Sequence, residues 1–536
     1  MNREYDILIA GGIVYDGLGN PGRLLDVAIR GEKIHRIAER LDRSRAETVI
    51  EADGLSVSPG FIDPHSHTDI ELLVNPKAES KIRQGITTEI SGNCGFSVFP
   101  LSDLNYEERK RYTEEKFEID VDWRDIGGFF RRLEERGLAL NYATLVGHGT
   151  IRSAAFGHED RPPTEREMAA MKRMVRESME AGAVGLSTGL IYTPGCFAQT
   201  EEIIELCREV AAYRGIYATH MRNEGDCLIE SVEEAIRIAH EAKVSLQISH
   251  LKLAYPRNWS KLHSVLSRIS EVKAQGMEIL ADRYPYTATS TLLNTFIPRW
   301  VQQGSTDEYL SRLRDPSLEE KIREFVKIQE EKVGSWDNVF ISSVLTHGNQ
   351  QLVGKSIKQA AAETGKEPYA LIRDLLIDEE DQVWMINFSL SEDNFRRIIA
   401  HPLVVIGSDG WALAPYGTLG RDKPHPRSYG TFPRMLGRYV RDENLLSPGI
   451  AIEKMTSMTA RKFGLRGRGQ IREGFFADVV VFDPYNIIDL SSWTDPHQFG
   501  RGIEHVIVNG RIVIREGEHT GALPGKVLKK IDRITI

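Results

Sequence analysis

Both ends of the chain carry the pattern of short β-strands, and helix-length patterns are scarce in both. The apolar runs are DILIAGGIVYD, DVAIRGEKIHRIA and ETVIEADG near one end, and QIREGFFADVVVFDP and IEHVIVNGRIVIREGE near the other. Runs of this length, rich in β-branched residues and bounded by glycine, are typical of strands. We therefore predict that residues 1–58 and 467–536 pair into one small β-sandwich domain.

In the long middle region, apolar strands alternate with amphipathic helices. Examples are LNYATLVGHG, EREMAAMKRMVRESMEAG, AVGLSTGLIY, EEIIELCREVAAYRG and IYATHMRNEGD. This alternation predicts an α/β fold, with a parallel sheet and crossover helices. Its length suits a (β/α)8 TIM-type barrel, typically about 250 residues, with an insertion. We place the barrel at 59–466 and a lid-like insertion at 291–339, where the charged pattern SLEEKIREFVKIQEEK breaks the rhythm.

Composition and charge narrow the range of partners. With 41% hydrophobic and 27% charged residues, the chain is typical of a globular enzyme with a small-molecule substrate. A net charge of −9 disfavours nucleic acid and anionic membranes as partners. The sequence shows neither a membrane-length apolar stretch nor a signal peptide, and its four cysteines are too few for a disulfide scaffold. We expect a cytoplasmic protein, and the pattern leaves homo-oligomerisation open.

A His-Ser-His triplet, with His65 and His67, follows the apolar segment SVSPGFID. Alternate residues of an extended strand point the same way, so both imidazoles can face one metal ion. Alone, the triplet is equally compatible with two polar residues at a strand end.

Other residues with metal-binding side chains stand at or near predicted strand ends. The carboxyl ends of parallel barrel strands meet at one face, which holds the active site. Imidazole, thiolate and carboxylate together suit zinc. Each residue also has a structural alternative, since a buried cysteine is usually a core residue and a strand-end histidine or aspartate can cap a helix. The residues are Cys94, His220, His250 and Asp409.

These motifs resemble the amidohydrolase superfamily and, more narrowly, the N-acyl-D-amino-acid deacylase (D-aminoacylase) family. The resemblance extends nearly end to end, through SGNCGFS, GLSTGLIYTPG, YATHMRNEGD, ISHLK, DRYPYTATST, GSDGWA, HPRSYGTFPR and REGFFADVVVFD. It implies a zinc-dependent enzyme that hydrolyses the amide bond of N-acyl-D-amino acids to a D-amino acid and a carboxylate.

The resemblance also implies how the ligands divide. Cyclic-amide hydrolases such as dihydroorotase carry a lysine at the end of the fourth barrel strand, whose carbamate bridges two metals. The corresponding segment VGLSTGLIYTPG has no lysine, and in the D-aminoacylase group a cysteine of the second strand replaces it. By resemblance, one tight zinc is held by Cys94, His220 and His250, and a second position that binds metal weakly or stays empty is lined by His65, His67 and Asp409.

The remaining cysteines match no ligand position, and Cys207 falls on a helix face expected in the core. The others are Cys196 and Cys227.

The expected mechanism follows from the poor reactivity of amides and of neutral water. Zinc lowers the pKa of bound water towards about 7 and polarises the carbonyl. Asp409 is placed to accept the proton of the water and pass it to the leaving amine. The run Gly185-Leu186-Ser187 does not form the nucleophile elbow of serine hydrolases.

Cationic and hydroxyl donors are expected near the metal, because the product amino acid carries a carboxylate. Lys252 lies two residues beyond His250, and Arg421 follows the last barrel strand. The resemblance adds Tyr284 and Ser290 as substrate-binding neighbours.

Each of these candidates has an alternative. Lys252 could be a solvated loop lysine, and Ser290 and Arg421 ordinary loop residues. Tyr192 either faces the substrate or only packs. Arg222 and Glu224 are expected to support the ligands from outside.

Two other functions stay open. A dipeptidase acting on peptides with a C-terminal D-residue would recognise the same amide and carboxylate, and an acidic residue near the acyl pocket would favour it; the sequence does not locate one. A non-catalytic scaffold homologue should have lost metal ligands, yet all six positions are occupied.

The segment TSTLLNTFIPRW opens the predicted insertion and is largely apolar. Its apolar side chains would favour a neutral, hydrophobic D-side chain in the substrate. Arg299 is the exception, because an inward guanidinium would favour D-glutamate or D-aspartate instead. The apolar residues are Leu292, Leu293, Phe296, Ile297 and Trp300.

Overall fold

Strands from both chain ends share one sheet. The computed structural model describes residues 3–530. Ser56–Pro59 pairs antiparallel with Val479–Phe482, and this pair joins the two ends of the chain. Apolar residues from both ends, such as Ile9, Val27 and Val479, are fully buried in one cluster. The nine strands are Tyr5–Val14, Arg23–Arg30, Lys33–Ala38, Ala46–Glu51, Ser56–Pro59, Val479–Phe482, Ile503–Val508, Arg511–Arg515 and Glu518–His519.

The central strands are parallel and form two hydrogen-bonded sets. One residue, Leu145, interrupts the third strand, so the nine segments act as eight strands. The first set is Phe61–Asp63, Ile86–Ser91 and Asn141–Thr144, and the second is Val146–Gly147, Gly185–Gly189, Ile216–His220, Ser245–Ile248, Ile279–Arg283 and Val404–Ile406.

Hydrogen bonds just beyond the strand ends join the first barrel strand to the last. The amide of Asp409 donates to the carbonyl of His65 at 2.8 Å, and the amide of His67 donates to the carbonyl of Gly410 at 3.1 Å. The predicted (β/α)8 architecture is confirmed.

The barrel helices follow from amphipathic sequence. In Glu165–Glu180, the apolar residues Met171, Val175 and Met179 recur every four residues and are buried, and Thr164 caps the amino end. No helix in residues 3–530 has the length and apolarity to cross a membrane. The other helices of the barrel region are Glu71–Val74, Glu79–Ile82, Tyr106–Phe117, Ile126–Arg136, His148–Phe156, Thr200–Ala211, Leu228–Ala242, Leu262–Ala274, Glu392–Ala400, Arg427–Arg434, the π-helix Met435–Asp442, Pro448–Met455 and Ser457–Phe463.

The insertion lies between the seventh and eighth barrel strands and has its own sheet and core. Its central strand, Trp384–Asn387, pairs antiparallel with both Thr289–Leu292 and Val339–Ser343. Its apolar core extends from Leu293 to Met385. Its helices are Thr306–Arg314, Glu319–Val333, Ile357–Thr364 and Pro368–Asp378.

The insertion therefore continues past the predicted boundary at 339. The reason is that Val339–Ser343 needs the returning strand Trp384–Asn387 to complete its hydrogen bonds. In the sequence, a strand followed by helices looks like one more barrel repeat. The periodicity alone therefore could not distinguish the second half of the insertion from a barrel repeat.

A buried ion pair lies beneath the first and last barrel strands. The ammonium of Lys81 is 2.7 Å from the carboxylate of Asp63 and 3.5 Å from that of Glu89, and all three side chains are fully buried. Asp63 also accepts a hydrogen bond from the amide of Ser408 at 2.9 Å. Lys81 thus neutralises a carboxylate, that of Asp63, which accepts from the backbone at His65 and at Ser408, the residue before Asp409.

We expect Lys81→Met to destabilise the fold by about 3–5 kcal/mol, because it leaves buried carboxylates without a counter-charge. The measurement is the shift of the chemical denaturation midpoint. The exposed Arg237, which pairs with Glu201 and Glu241, provides the control; Arg237→Met should cost about 1 kcal/mol or less. Equal shifts for the two variants would contradict this account of Lys81.

Candidate metal centre and active site

The six residues predicted as metal ligands come together at the carboxyl ends of the barrel strands. They form two groups, and the ligand atoms of each group lie within 4.8 Å of one another. Cys94 belongs to both groups, so its thiol is shared between them. One group is His65, His67, Cys94 and Asp409, and the other is Cys94, His220 and His250.

The donor atoms fit a zinc ion. The sulfur of Cys94 is 3.4 Å from Nε2 of His65 and 3.3 Å from Nε2 of His250. Neither ring nitrogen of the buried His220 hydrogen-bonds to the described residues, although a carboxylate oxygen of Glu224 lies 3.4 Å from its Nε2. A buried imidazole without partners is costly unless it binds a ligand. Sulfur and imidazole nitrogen are the donors that zinc prefers.

The thiol of Cys94 is in an environment that favours the thiolate. Burial alone would raise its pKa, but the nearby imidazoles of His250 and His65 outweigh burial and lower the pKa well below its usual value. The thiolate is the metal-binding form of cysteine.

Asp282, near the end of the seventh barrel strand, orients two of the histidines. Its Oδ1 is 3.0 Å from Nδ1 of His65 and accepts a hydrogen bond from the amide of His250 at 2.7 Å. Because Nδ1 of His65 faces this carboxylate, Nε2 is directed towards Cys94. Asp282 was not among the predicted site residues, although it lies near the end of a strand, ILADR, as several predicted ligands do.

Glu224 connects Lys252 to the histidines. Its Oε1 is 2.6 Å from Nζ of Lys252 and 3.1 Å from Nδ1 of His250. Lys252 is only 4% exposed, so the alternative of a solvated loop lysine does not hold. Burial would raise the pKa of Glu224, but His220 and Lys252 lower it well below its usual value. Glu224 therefore stays ionised between these groups.

Asp409 also remains ionised, through a residue that the sequence analysis missed. Its Oδ1 is 2.9 Å from Nε2 of His67, and its Oδ2 is 2.6 Å from Nη1 of the buried Arg427. Burial would raise the pKa of Asp409, but Arg427 and His65 hold it well below the usual range. Arg427 belongs to the motif HPRSYGTFPR, which carries the resemblance but had received no role.

Three of the predicted ligands have left-handed backbone conformations. The φ angles are 54° for Cys94, 37° for His250 and 53° for Asp409. Residues other than glycine rarely adopt this region, and such strain concentrates at functional sites. At each position the chain leaves a strand, and the turn directs the side chain into the site.

Most of the predicted substrate-binding residues line a cavity of about 270 Å³, here called the metal cavity, which five of the six predicted ligands also line. The hydroxyl of Tyr284 is buried and has no hydrogen-bond partner among the described residues. The hydroxyl of Tyr192 lies 2.9 Å from Oγ1 of Thr291, so it both packs and borders the cavity. The lining residues predicted from the sequence are Lys252, Tyr284, Ser290 and Tyr192.

The expected substrate contact of Arg421 does not agree with its position. Arg421 is exposed, and its guanidinium is 3.0 Å from the carboxylate of Glu118. The loop after the last barrel strand directs it away from the ligands, and Arg427 of the following helix is the arginine beside Asp409.

Arg222 contacts the surroundings of the site rather than the ligands. It forms an ion pair with Glu234 at 2.8 Å and donates to the carbonyl oxygens of Cys196 and Ala198. Among the described residues, Cys94 is the cysteine of the metal-type groups. Cys207 is buried in the core, as predicted.

Residues of the insertion contribute both apolar and charged side chains to the lining of the metal cavity. Phe296 and Ile297 are buried and line the metal cavity. Arg299 also borders this cavity but is exposed. Leu293 packs instead in the core of the insertion.

Comparison with known proteins places this geometry in a family. The Amidohydrolase family model matches residues 48–514. A D-aminoacylase of Alcaligenes xylosoxydans xylosoxydans is 37% identical over 533 residues, which cover 99% of this chain and 98% of that protein. An N-acyl-D-glutamate deacylase of the same organism is 35% identical, with 99% and 98% covered.

A solved structure resembles the chain equally closely. The N-acyl-D-glutamate deacylase from Bordetella bronchiseptica, complexed with zinc and a phosphonate inhibitor, has a TM-score of 0.84 at 33% identity, with 98% of this chain and 99% of that chain covered. Together with the full-length relatives, this match shows the family. The chain belongs to the amidohydrolase family and is a hydrolase that acts on amides.

Proposed function

We propose that the protein is a zinc-dependent N-acyl-D-amino-acid deacylase. The observation that carries the proposal is the position of the ionised Asp409 within a group of metal-type ligands, beside a cavity lined by Lys252 and Tyr284. The named relatives favour this activity over the dipeptidase alternative. The full-length relatives are named as enzymes, so we do not propose the scaffold role.

We assign one tight zinc to Cys94, His220 and His250, as the family resemblance implies, and these three residues form one of the two metal-type groups. A second, weaker position would be held by His65, His67 and Asp409. Bound zinc would lower the pKa of water and polarise the amide carbonyl.

Asp409 acts first as the general base and then as the general acid. It accepts a proton from the attacking water as the new C–O bond forms, and it donates that proton to the nitrogen as the C–N bond breaks. Arg427 and His65 keep its carboxylate ionised before the reaction, which is the form that a general base requires.

Lys252, Tyr284 and Ser290 would bind the α-carboxylate of the substrate. The ammonium of Lys252 is buried and supplies charge, and the unpaired hydroxyl of Tyr284 supplies a free donor. A charge-assisted contact of this kind orients the scissile amide towards Asp409.

We expect Cys94→Ala to lose the tight zinc and the activity, because Cys94 contributes to both ligand groups. Metal analysis of the purified variant, with circular dichroism to verify folding, measures this. The exposed Cys227 gives the matched control, since Cys227→Ala should keep both zinc and activity. Full zinc content in Cys94→Ala would refute the ligand assignment.

We expect Asp409→Asn to keep the tight zinc and to reduce kcat by about 100-fold to 10,000-fold, because the amide cannot accept the proton. Steady-state kinetics together with metal analysis test this. Asp103→Asn, at a position where the side chain is 95% exposed, is the control. A variant with near-native kcat would show that another group acts as the base.

We expect N-acetyl-D-methionine to be hydrolysed in preference to N-acetyl-L-methionine, by analogy with the relatives. The measurement is kcat/KM for each substrate, and adding N-acetyl-D-glutamate to the series tests the side-chain preference. Phe296 and Ile297 favour D-methionine over D-glutamate, since each buried methylene contributes about 0.8 kcal/mol. Equal rates on the two enantiomers would refute the predicted selectivity for D-amino acids. A preference for D-glutamate that disappears in Arg299→Ala would place that guanidinium in the pocket.

A further inference from the structure

A second cavity of about 290 Å³ adjoins the metal cavity. The two share four lining residues, His67, Phe96, Gln302 and Trp384. The second cavity is lined by Asp69 and Glu71, by the helix that begins at Tyr106 and by the insertion, whereas Lys252, Tyr284 and Ser290 line only the metal cavity. A substrate with its carboxylate on Lys252 would thus direct its acyl group to the opposite side.

The entrance to this second cavity is aromatic. The ring of Trp411 lies 5.7 Å from that of His67 and 5.1 Å from that of Trp384, measured between centroids. Phe96 borders both cavities and packs 5.2 Å from Tyr192. Such a surface suits the methylene groups of a chain, and an acetyl group would fill only a small part of the space behind it.

Beyond the aromatic entrance, the cavity is acidic and holds unused acceptors. Glu71 is 6% exposed, and in the described part of the chain no side chain donates a hydrogen bond to it. Oδ1 of Asp381 accepts no hydrogen bond of good geometry in the same part of the chain, although the hydroxyl of Tyr309 interacts with this carboxyl group. Its Oδ2 accepts from Asn294 at 2.7 Å. The carboxyl groups of the lining are Asp69, Glu71, Glu108 and Asp381, and its one guanidinium is Arg109.

Burial raises the pKa of Glu71 to about 8 and that of Asp381 to about 7. A ligand that stabilises the ionised form of these two carboxyl groups therefore offsets the cost of their burial. A ligand with hydrogen-bond donors or positive charge at its far end stabilises the ionised form of these carboxyl groups.

We propose that this cavity is the acyl subsite and that it takes acyl chains longer than acetyl whose far end carries hydrogen-bond donors, above all an ammonium group. The inference rests on the proposed deacylase function and specifies its substrate class.

The test is a series of N-acyl-D-methionines hydrolysed by the zinc-loaded full-length protein. The acyl groups are acetyl, hexanoyl, ω-aminohexanoyl and adipoyl, the last three being of similar length with an apolar, cationic or anionic end. We expect kcat/KM to be highest for ω-aminohexanoyl and to exceed that for adipoyl by about tenfold or more. Equal values for these two, or a clear preference for acetyl over every longer chain, would overturn the proposal.

Variants test whether the named carboxyl groups cause this order. Glu71→Gln and Asp381→Asn should each reduce the ratio of kcat/KM for ω-aminohexanoyl over adipoyl, whereas Glu380→Gln should preserve it. Glu380 is the control because it adjoins Asp381 in the chain but pairs with Arg111 at the surface. If the ratio survives in both cavity variants, the subsite is elsewhere. Absent hydrolysis of N-acetyl-D-methionine would instead refute the proposed function, so the two failures are distinguishable.

Discussion

The hydrogen bonds between the first and last barrel strands are the constraint on which the site depends. The 2.8 Å bond from the amide of Asp409 to the carbonyl of His65 fixes two ligands that are more than 300 residues apart in the chain. Beneath it, Asp63 binds the amide of Ser408 and is neutralised by Lys81. Closure of the barrel and assembly of the candidate metal site are therefore the same event, because a shift of either strand would separate His65 from Asp409.

The second requirement is a balance of buried charge. Carboxylates, imidazoles and a thiol lie together with little exposure, and each burial cost is offset by a specific neighbour. Arg427 balances Asp409, Lys252 balances Glu224, and Asp282 faces His65. The exception is His220, whose nitrogens hydrogen-bond to none of the described residues. A cation held by Cys94, His220 and His250 would give the imidazole of His220 the partner that it lacks.

The sequence predicts the fold and the convergence of the six candidate side chains, since both depend on periodicity and on the meeting of parallel strand ends. It fails where the position of a side chain depends on a loop. Arg421 and Arg427 follow the same strand six residues apart, yet only the helix beginning at Arg427 directs a guanidinium to Asp409. The extent of the insertion was wrong for a related reason, because antiparallel pairing with Trp384–Asn387 leaves no trace in local periodicity.

The barrel and the insertion contribute different residues to the site. This difference explains how two relatives that are almost equally similar to this chain can be named for different substrates. The ligands and Asp409 belong to strand ends, which barrel closure fixes. Phe296, Arg299 and Trp384 belong to the insertion, which has its own core and can change without moving a barrel strand. An identity of 37% to a D-aminoacylase against 35% to an N-acyl-D-glutamate deacylase averages over both parts. The residues of the insertion that line the cavities are therefore a better guide to the substrate than overall similarity is.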